Sequence, residues 1–280
     1  MISQVIMRLK SYEDVTVRPK VFIGQFSRAV FYTMLRSYRE EVARVIHGRK
    51  EVPAPFSTKP PYIETSEGPQ ALYVKIPANT PFTLEFDILE EGLMNVFKQM
   101  LAEAAPSEIT LGSSQCAITE LSVRHVAEEE LIKVKACRGF SIRFMTPTFF
   151  RIHIPRALRK TRSVRVLPLP DPFHLFVNLY NLWNAYLKRK IKPEYLEWLQ
   201  QYPILVSRVR GLNTHHYYKD EVRGAIMIGF TGTAYYTLAE DLYDEEMVTA
   251  TNQLLRLAEY SNVGGNRTAG YGWVKVKYQT

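Results

Sequence analysis

Cysteine is nearly missing from this sequence: among 280 residues only Cys116 and Cys137 occur. One pair cannot build a disulfide framework, and no Cys/His spacing stands ready to complete a zinc site. HExxH and HxxxH patterns are absent too, so we expect neither a metal nor another cofactor. The opening residues, Met1-Ile2-Ser3-Gln4-Val5, lack the charged and apolar regions of a secretory leader. No apolar run approaches the roughly 18 residues of a membrane-spanning helix. The expected setting is therefore a reducing cytoplasm, with no membrane partner. A phosphate loop ending in Gly-Lys-Ser/Thr is also missing, as is the strand-loop-helix glycine pattern of dinucleotide-binding folds. Both absences argue against an enzyme built around a bound nucleotide.

What is present has the balance of a folded globular protein, with 46% hydrophobic and 23% charged residues. A chain of this length buries about three-quarters of its unfolded surface and needs no covalent staples. Lys and Arg number 36 against 28 Asp and Glu, a formal charge of +8. Such an excess suits a polyanionic partner, or serves solubility alone.

The apolar pattern reads as two similar halves. Met1–Lys10 alternates as a strand, with Val5, Met7 and Leu9 on one face. Phe31, Met34, Leu35 and Tyr38 follow at helical spacing. A second short helix from Arg39 to Ile46 stops at Gly48. Pro53, Pro55, Pro60 and Pro61 make 51–62 loop or extended chain. Strands are expected over Ala71–Ile76, Phe82–Ile88 and Ile118–Val126, with an amphipathic helix carrying Leu93, Phe97 and Met100. This β-α-β-β-α-β order is that of the ferredoxin-like, RRM-shaped fold. The second half repeats it. Strands are expected over Phe140–Phe144 and Phe149–Ile154, a helix from Phe173 to Gln201, and a strand pair around Thr231-Gly232. A helix over Glu245–Tyr260 and a strand over Trp273–Tyr278 close the chain. The fold class is therefore α+β, with two tandem ferredoxin-like domains packed side by side: 1–133, with the candidate catalytic residues, and 134–280.

The most specific feature is the stretch Asn262-Val263-Gly264-Gly265-Asn266-Arg267-Thr268-Ala269-Gly270-Tyr271-Gly272-Trp273-Val274. Four glycines this close together let backbone N–H groups form a nest for phosphate oxygens. Arg267 would add a charged partner and Thr268 a hydroxyl. A tight helix-to-strand turn is the competing explanation.

The spacing Gly264…Gly270-Tyr271-Gly272 just before a last strand resembles the C-terminal signature of the CRISPR repeat-processing endoribonucleases, the Cas-six family. Ile142-Arg143-Phe144-Met145-Thr146-Pro147-Thr148-Phe149 resembles the strand that enters that family's second half. Gly229-Phe230-Thr231-Gly232-Thr233-Ala234 resembles its later hairpin, and the placement of Tyr32 and His47 also fits. One departure stands at Asn262, where members often carry a further glycine. The resemblance implies two RRM-like domains that bind the repeat of precursor CRISPR RNA. It also implies metal-independent cleavage, in which the ribose 2′-hydroxyl attacks the adjacent phosphate to leave a 2′,3′-cyclic phosphate and a 5′-hydroxyl. Repeat RNA is the implied partner, with a CRISPR effector complex as a further one and the chain acting as monomer or homodimer.

That chemistry needs a base, an acid and positive charge at the phosphate. An imidazole titrates near neutrality and can serve as acid or base. His47, at the end of a short helix beside Arg49 and Lys50, takes that role by resemblance; otherwise it is a surface histidine. Tyr32 matches the family's tyrosine, which orients the nucleophile or contacts phosphate; otherwise it is a core residue of the first helix. Fifteen residues on one straight helix would hold these two about 22 Å apart, so the chain must break around Ser37–Arg39. Lys50 is the nearest match to the family's lysine, with Arg49 and Lys59 as competitors.

For RNA, the glycine-rich residues Gly264, Gly265, Asn266, Arg267, Thr268, Gly270 and Gly272 are joined by the basic run Arg156, Arg159, Lys160 and Arg162. Lys188-Arg189-Lys190 forms a second basic cluster, and either run is otherwise a solvated face. His125, His153 and His174 are expected to be structural, and His215-His216-Tyr217-Tyr218 to form a hairpin-like loop, with stacking on bases as the functional alternative. Two other functions compete: a non-cleaving RNA-binding subunit of an effector complex, and an unrelated nucleotide-binding enzyme.

Overall fold

The structure is a computed structural model and describes residues 1–18, 20–49, 52–73, 75–152, 165–220 and 225–279. The chain divides into two compact units. One comprises residues 1–132 with 185–188 and 267–271; the other comprises 133–184 with 189–266 and residues from 272 onward.

In the first unit β1 (Ile2–Ser11) and β2 (Val15–Thr16) lead into α1 (Gly24–Tyr38) and α2 (Glu40–Gly48). β3 (Phe56–Thr58), β4 (Tyr62–Thr65), β5 (Gly68–Ala71), β6 (Lys75–Ile76) and β7 (Pro81–Ile88) follow, then α3 (Glu91–Ala104), β8 (Glu108–Leu111), β9 (Ser114–Val126) and α4 (Glu128–Ile132). The sheet runs β5-β4-β7-β1-β9-β8, with β3 also paired to β7. Alternation in β1 does what its pattern requires: Val5, Met7 and Leu9 are fully buried, opposite Phe86, Leu84 and Phe82 of β7. Phe31 and Leu35 of α1 and Phe97 of α3 complete that core. The segment 71–76 is two short strands rather than one, because β5 turns back onto β4 while β6 pairs with β2.

In the second unit β10 (Gly139–Thr148), β11 (Phe150–Arg151) and β12 (Val166–Leu167) precede α5 (Pro172–Tyr186) and α6 (Glu194–Leu199). β13 (Ile204–Asp220), β14 (Ala225–Leu238), α7 (Glu245–Ser261) and β15 (Val274–Gln279) complete it, in the order β13-β14-β10-β15. Each sheet thus places its first long strand between its last two long ones, all antiparallel, which is the ferredoxin-like order.

Three expected elements differ here. The helix of 173–201 is interrupted after Tyr186, where the Trp183 indole donates to the Arg189 carbonyl at 2.6 Å and Pro193 precedes the short α6. The strand pair around Thr231-Gly232 is one continuous strand, β14, whose partner is β13. Gly232, at φ 134°, sits where a Cβ would come within 2.6 Å of the Gly211 carbonyl oxygen, so this glycine marks a bulge and not a turn. His215, His216 and Tyr217 accordingly lie in β13, not in a loop. Finally, β10 continues through Thr146-Pro147-Thr148, held where the Met145 N–H donates to the Trp273 carbonyl and Thr146 Oγ1 accepts from the Trp273 N–H.

Both cysteines are free. Among the described residues no helix is long and apolar enough to cross a membrane, and no three His, Cys, Asp or Glu side chains group as a metal site.

Candidate active site

The helical pair α1–α2 creates the candidate site. Val30, Phe31, Met34 and Leu35 hold α1 on the sheet. Arg39 then leaves helical geometry, at φ −143° and ψ 85°, while its N–H still donates to the Leu35 carbonyl at 2.8 Å. The helix restarts at once. Glu40 and Glu41 supply the negative charge that a helix N-terminus favours, and Ala43 and Ile46 bury the new helix's inner face. The chain thus breaks within Ser37–Arg39, where a straight helix would have held Tyr32 and His47 apart.

The break returns His47, exposed in the last turn of α2, to the side of Tyr32. Their rings meet edge to face at 5.5 Å. Tyr32 is half-buried, and its ring also stands edge-on to Phe31 and Phe56, each at 5.7 Å. Those two phenylalanines stack at 3.7 Å and belong to the core, so the Tyr32 ring is fixed against rigid support. Burial pushes its phenol up from its ordinary value, against the pull of Arg28 and Arg36. The phenol therefore stays protonated at neutral pH and can donate a hydrogen bond. Arg28 and Arg36, four residues to either side on one helix face, are the cations that sequence reading missed. Their i−4 and i+4 spacing about Tyr32 was the available signal.

The two competitors for the cationic role are already engaged. Arg49 Nη1 reaches both carboxylate oxygens of Glu90, at 3.0 and 2.9 Å. Lys59 is 2% exposed and donates to Asp87 at 2.7 Å, with Glu85 at 3.7 Å. Lys50 lies outside the described residues. So do His153 and the run containing Arg156, Arg159, Lys160 and Arg162.

The Lys59 pair belongs to a buried polar cluster on the face of the sheet opposite the core. The Gln4 amide donates to Glu85 and Asp87 at 2.8 and 2.9 Å, and the Tyr62 hydroxyl to Glu85 at 2.9 Å. Burial lifts the Asp87 carboxyl to about 7 even with Lys59 beside it.

The glycine-rich stretch divides into two parts with different surroundings. Residues 267–271 pack in the first unit. Arg267, expected to hold RNA, is 5% exposed and donates to the Ala54 carbonyl at 2.8 Å. Burial lowers it to about 10, with Tyr186 and Asp87 opposing, so it stays charged at neutral pH. The Thr268 carbonyl accepts from the Thr58 hydroxyl at 3.1 Å, and Tyr271 packs edge-on to Phe22 at 4.5 Å. β3 is the shared support: Phe56 backs the Tyr32 ring and Thr58 carries this turn.

In the second unit, Gly264 and Gly272 take the left-handed conformation, at φ 74° and 72°. A Cβ at Gly264 would collide with the Phe149 carbonyl oxygen, and one at Gly272 with that of Val263.

All four glycine amides have acceptors within the protein. Gly264 donates to Asn178 Oδ1 at 2.8 Å, Gly265 to the Phe149 carbonyl at 2.9 Å, Gly270 to that of Arg267 at 3.2 Å, and Gly272 to that of Pro147 at 3.1 Å. The expected phosphate nest is therefore closed, and the glycines serve close backbone packing instead. Gly270 and Gly272 are buried, whereas Gly264, Gly265, Asn266 and Thr268 remain partly exposed. Beside Asn266, the exposed Arg151 donates to its side-chain oxygen at 3.4 Å.

His125 and His174 are held by neighbouring side chains, as expected of structural histidines. His125 Nδ1 lies 2.9 Å from the Ser3 hydroxyl, and His174 Nδ1 lies 2.6 Å from Asp171.

Comparisons with known proteins bear on the family and the fold. The family model described as CRISPR-associated endoribonuclease Cas6 matches residues 142–274. A solved Cas6 product complex is 24% identical, with a TM-score of 0.75, over 99% of this chain and 100% of its own. Thermus thermophilus Cas6 is 22% identical, with a TM-score of 0.68, over 99% of this chain and 98% of its own. A Cas6-related protein from Pyrococcus furiosus shares the fold at a TM-score of 0.61, with 7% identity and full coverage of both chains. A comparison with curated proteins gives no match.

Proposed function

Taking as premise that residues 142–274 carry the CRISPR-associated endoribonuclease Cas6 family and that the whole chain carries the Cas6 fold, we propose that this protein cleaves CRISPR precursor RNA within the repeat. The 2′-oxygen forms a bond to the adjacent phosphorus while the bond to the 5′-oxygen breaks. One proton leaves the 2′-hydroxyl and one reaches the departing 5′-oxygen. The products are a 2′,3′-cyclic phosphate and a 5′-hydroxyl.

One observation carries this reading: a solvent-accessible imidazole, His47, seated edge-on to the buried-based ring of Tyr32 at 5.5 Å. His47 is the proton-transfer group. The Tyr32 phenol, still protonated, orients the attacking hydroxyl or a phosphate oxygen. Arg28 and Arg36 bring positive charge to the same helix face, and Lys50 is assigned the role of a further cation. This displacement requires a base, an acid and cationic stabilisation; His47 takes the 2′-hydroxyl proton and returns one to the departing 5′-oxygen, so the proposed reaction needs no metal. RNA backbone is held at the exposed part of the glycine-rich stretch, Gly264 to Asn266 with Thr268, and at the run from Arg156 to Arg162. Gly270, Gly272 and Arg267 contribute by packing.

Incubating the protein with cognate repeat RNA in EDTA and identifying the product ends tests the proposal. A cyclic phosphate and a free 5′-hydroxyl are expected. Intact RNA, or dependence on added magnesium, would overturn it.

A further inference from the structure

The open face of the second sheet gathers positive charge that no function has yet used. Phe140, Ile142 and Phe144 of β10 point to the core, where Phe140 meets Phe176 of α5. Ser141 and Arg143 point the other way. Strand register then sets a row of side chains across four strands. Arg143 lies opposite Thr233 of β14 on one side and Lys275 of β15 on the other, and Thr233 lies opposite Arg210 of β13. The next row repeats the arrangement with Lys277, Ser141, Tyr235 and Arg208. Arg143, Arg208, Arg210, Lys275 and Lys277 are all exposed. Among the described residues none of the five is in an ion pair.

Two observations set this face apart from an ordinary solvated one. Like charges directly opposite on adjacent strands destabilise a sheet, yet Arg143 faces Lys275. The first sheet shows the usual solution, with Arg8 facing Glu120 in register and paired with it at 2.8 Å. The second sheet also withholds carboxylates: its four strands contain six Lys and Arg residues and a single acid, Asp220. A polyanion laid across the face would relieve that repulsion.

Farther along the same face the chemistry turns aromatic. His215 and Tyr217 stack at 6.3 Å with an interplanar angle of 22°, and His215 Nε2 lies 2.7 Å from the Thr231 hydroxyl. Burial holds the imidazole below its usual range, so near neutrality the pair is an uncharged stacking platform. A cationic track leading to a stacked ring pair is the way single-stranded nucleic acid is held without base-pair geometry.

We propose that this face binds an unpaired segment of RNA, with phosphates on the row of Arg143, Lys275 and Arg210 and a base against His215 and Tyr217. That the polyanion is RNA rests on the proposed function; that the face binds a single-stranded polyanion does not.

The test is fluorescence anisotropy with a 15-nucleotide oligouridylate, which cannot pair, over a salt series. Relative to wild type, Arg143→Gln/Lys275→Gln/Arg210→Gln should lose about tenfold in affinity or more. The slope of log K against log salt should fall by about 2, at roughly 0.7 for each phosphate contact on a single strand. Lys98→Gln/Arg124→Gln/Lys133→Gln, with the same charge change on other exposed positions, should leave the slope alone. Tyr217→Ala should weaken binding about tenfold without changing the slope. Should the triple variant lose its fold, Arg208→Gln/Lys277→Gln reads the adjacent row. An unchanged slope in the track variants, or an equal loss in the charge-matched control, overturns the proposal. Cleavage of repeat RNA, scored separately, reports on the proposed function: wild type that binds oligouridylate through this face but cuts nothing would sink the nuclease and leave the track standing.

Discussion

Tyr32 and His47 are fifteen residues apart in sequence, yet their rings touch edge to face at 5.5 Å because Arg39 alone interrupts what would otherwise be one helix. The nearness of the two therefore depends on a backbone break, and the chemistry assigned to them can be tested one residue at a time.

His47→Ala should lower the single-turnover cleavage rate of repeat RNA about 10²- to 10⁴-fold, the range for loss of a proton-transfer group, while binding is retained. An unaffected rate would favour a subunit that binds RNA without cutting it. Tyr32→Phe keeps the ring packing against Phe56 and removes only the hydroxyl, so a drop in rate with an unchanged melting temperature would isolate the phenol's role.

The cations divide by availability. Arg28→Gln and Arg36→Gln should each slow cleavage about tenfold, whereas Arg49→Ala should change it little. Arg49 is held by Glu90 in a partly exposed pair, and such pairs contribute about 0.2–1 kcal/mol to stability. Rate constants and denaturant midpoints for the three variants, measured side by side, check this ordering.

Gly272→Ala should destabilise the fold by several kcal/mol on the order expected for overpacking with backbone strain, because φ is 72° and the added carbon meets the Val263 carbonyl. Gly92→Ala in α3 is the contrast. Nothing lies within 4 Å of its Cβ position, and the helix should gain about 0.5–1 kcal/mol. Thermal unfolding of both variants gives the comparison.

The buried Asp87 carboxyl gives stability a definite sign with pH. Burial raises it from 3.8 to about 7, so the folded state binds a proton that the unfolded state has already released. Its contribution is complete below about pH 4 and is lost as pH rises toward 7. Asp87→Asn should flatten the dependence of the melting temperature across that window. Lys59→Met leaves Asp87 without its cation and should cost about 3–5 kcal/mol at neutral pH. Melting curves from pH 4 to 8 check both.

Much of the architecture was legible because its signals are local. Alternation in β1 placed Val5, Met7 and Leu9 inside, and the apolar spacing of Phe31, Met34 and Leu35 gave α1 its buried face. The separation of Tyr32 and His47 demanded the helix break. Other features depended on partners remote in sequence. Asp87, 28 residues beyond Lys59, turns that lysine from a candidate catalytic cation into a buried pair. Arg267 points inward because the Ala54 carbonyl, 213 positions away, waits for it. The glycine amides close on Asn178, Phe149 and Pro147, a set of acceptors that no spacing within the loop could reveal. The continuity of β14 was hidden for the same reason, since Gly232 looks like a turn residue until β13 is laid beside it. Periodicity fixes which face of an element is apolar, and so the sequence alone determined the fold and the helix pair that carries the candidate site. Which charges are paired, which amides are satisfied and which cations stay exposed are set by long-range register, and only the tertiary structure decided them.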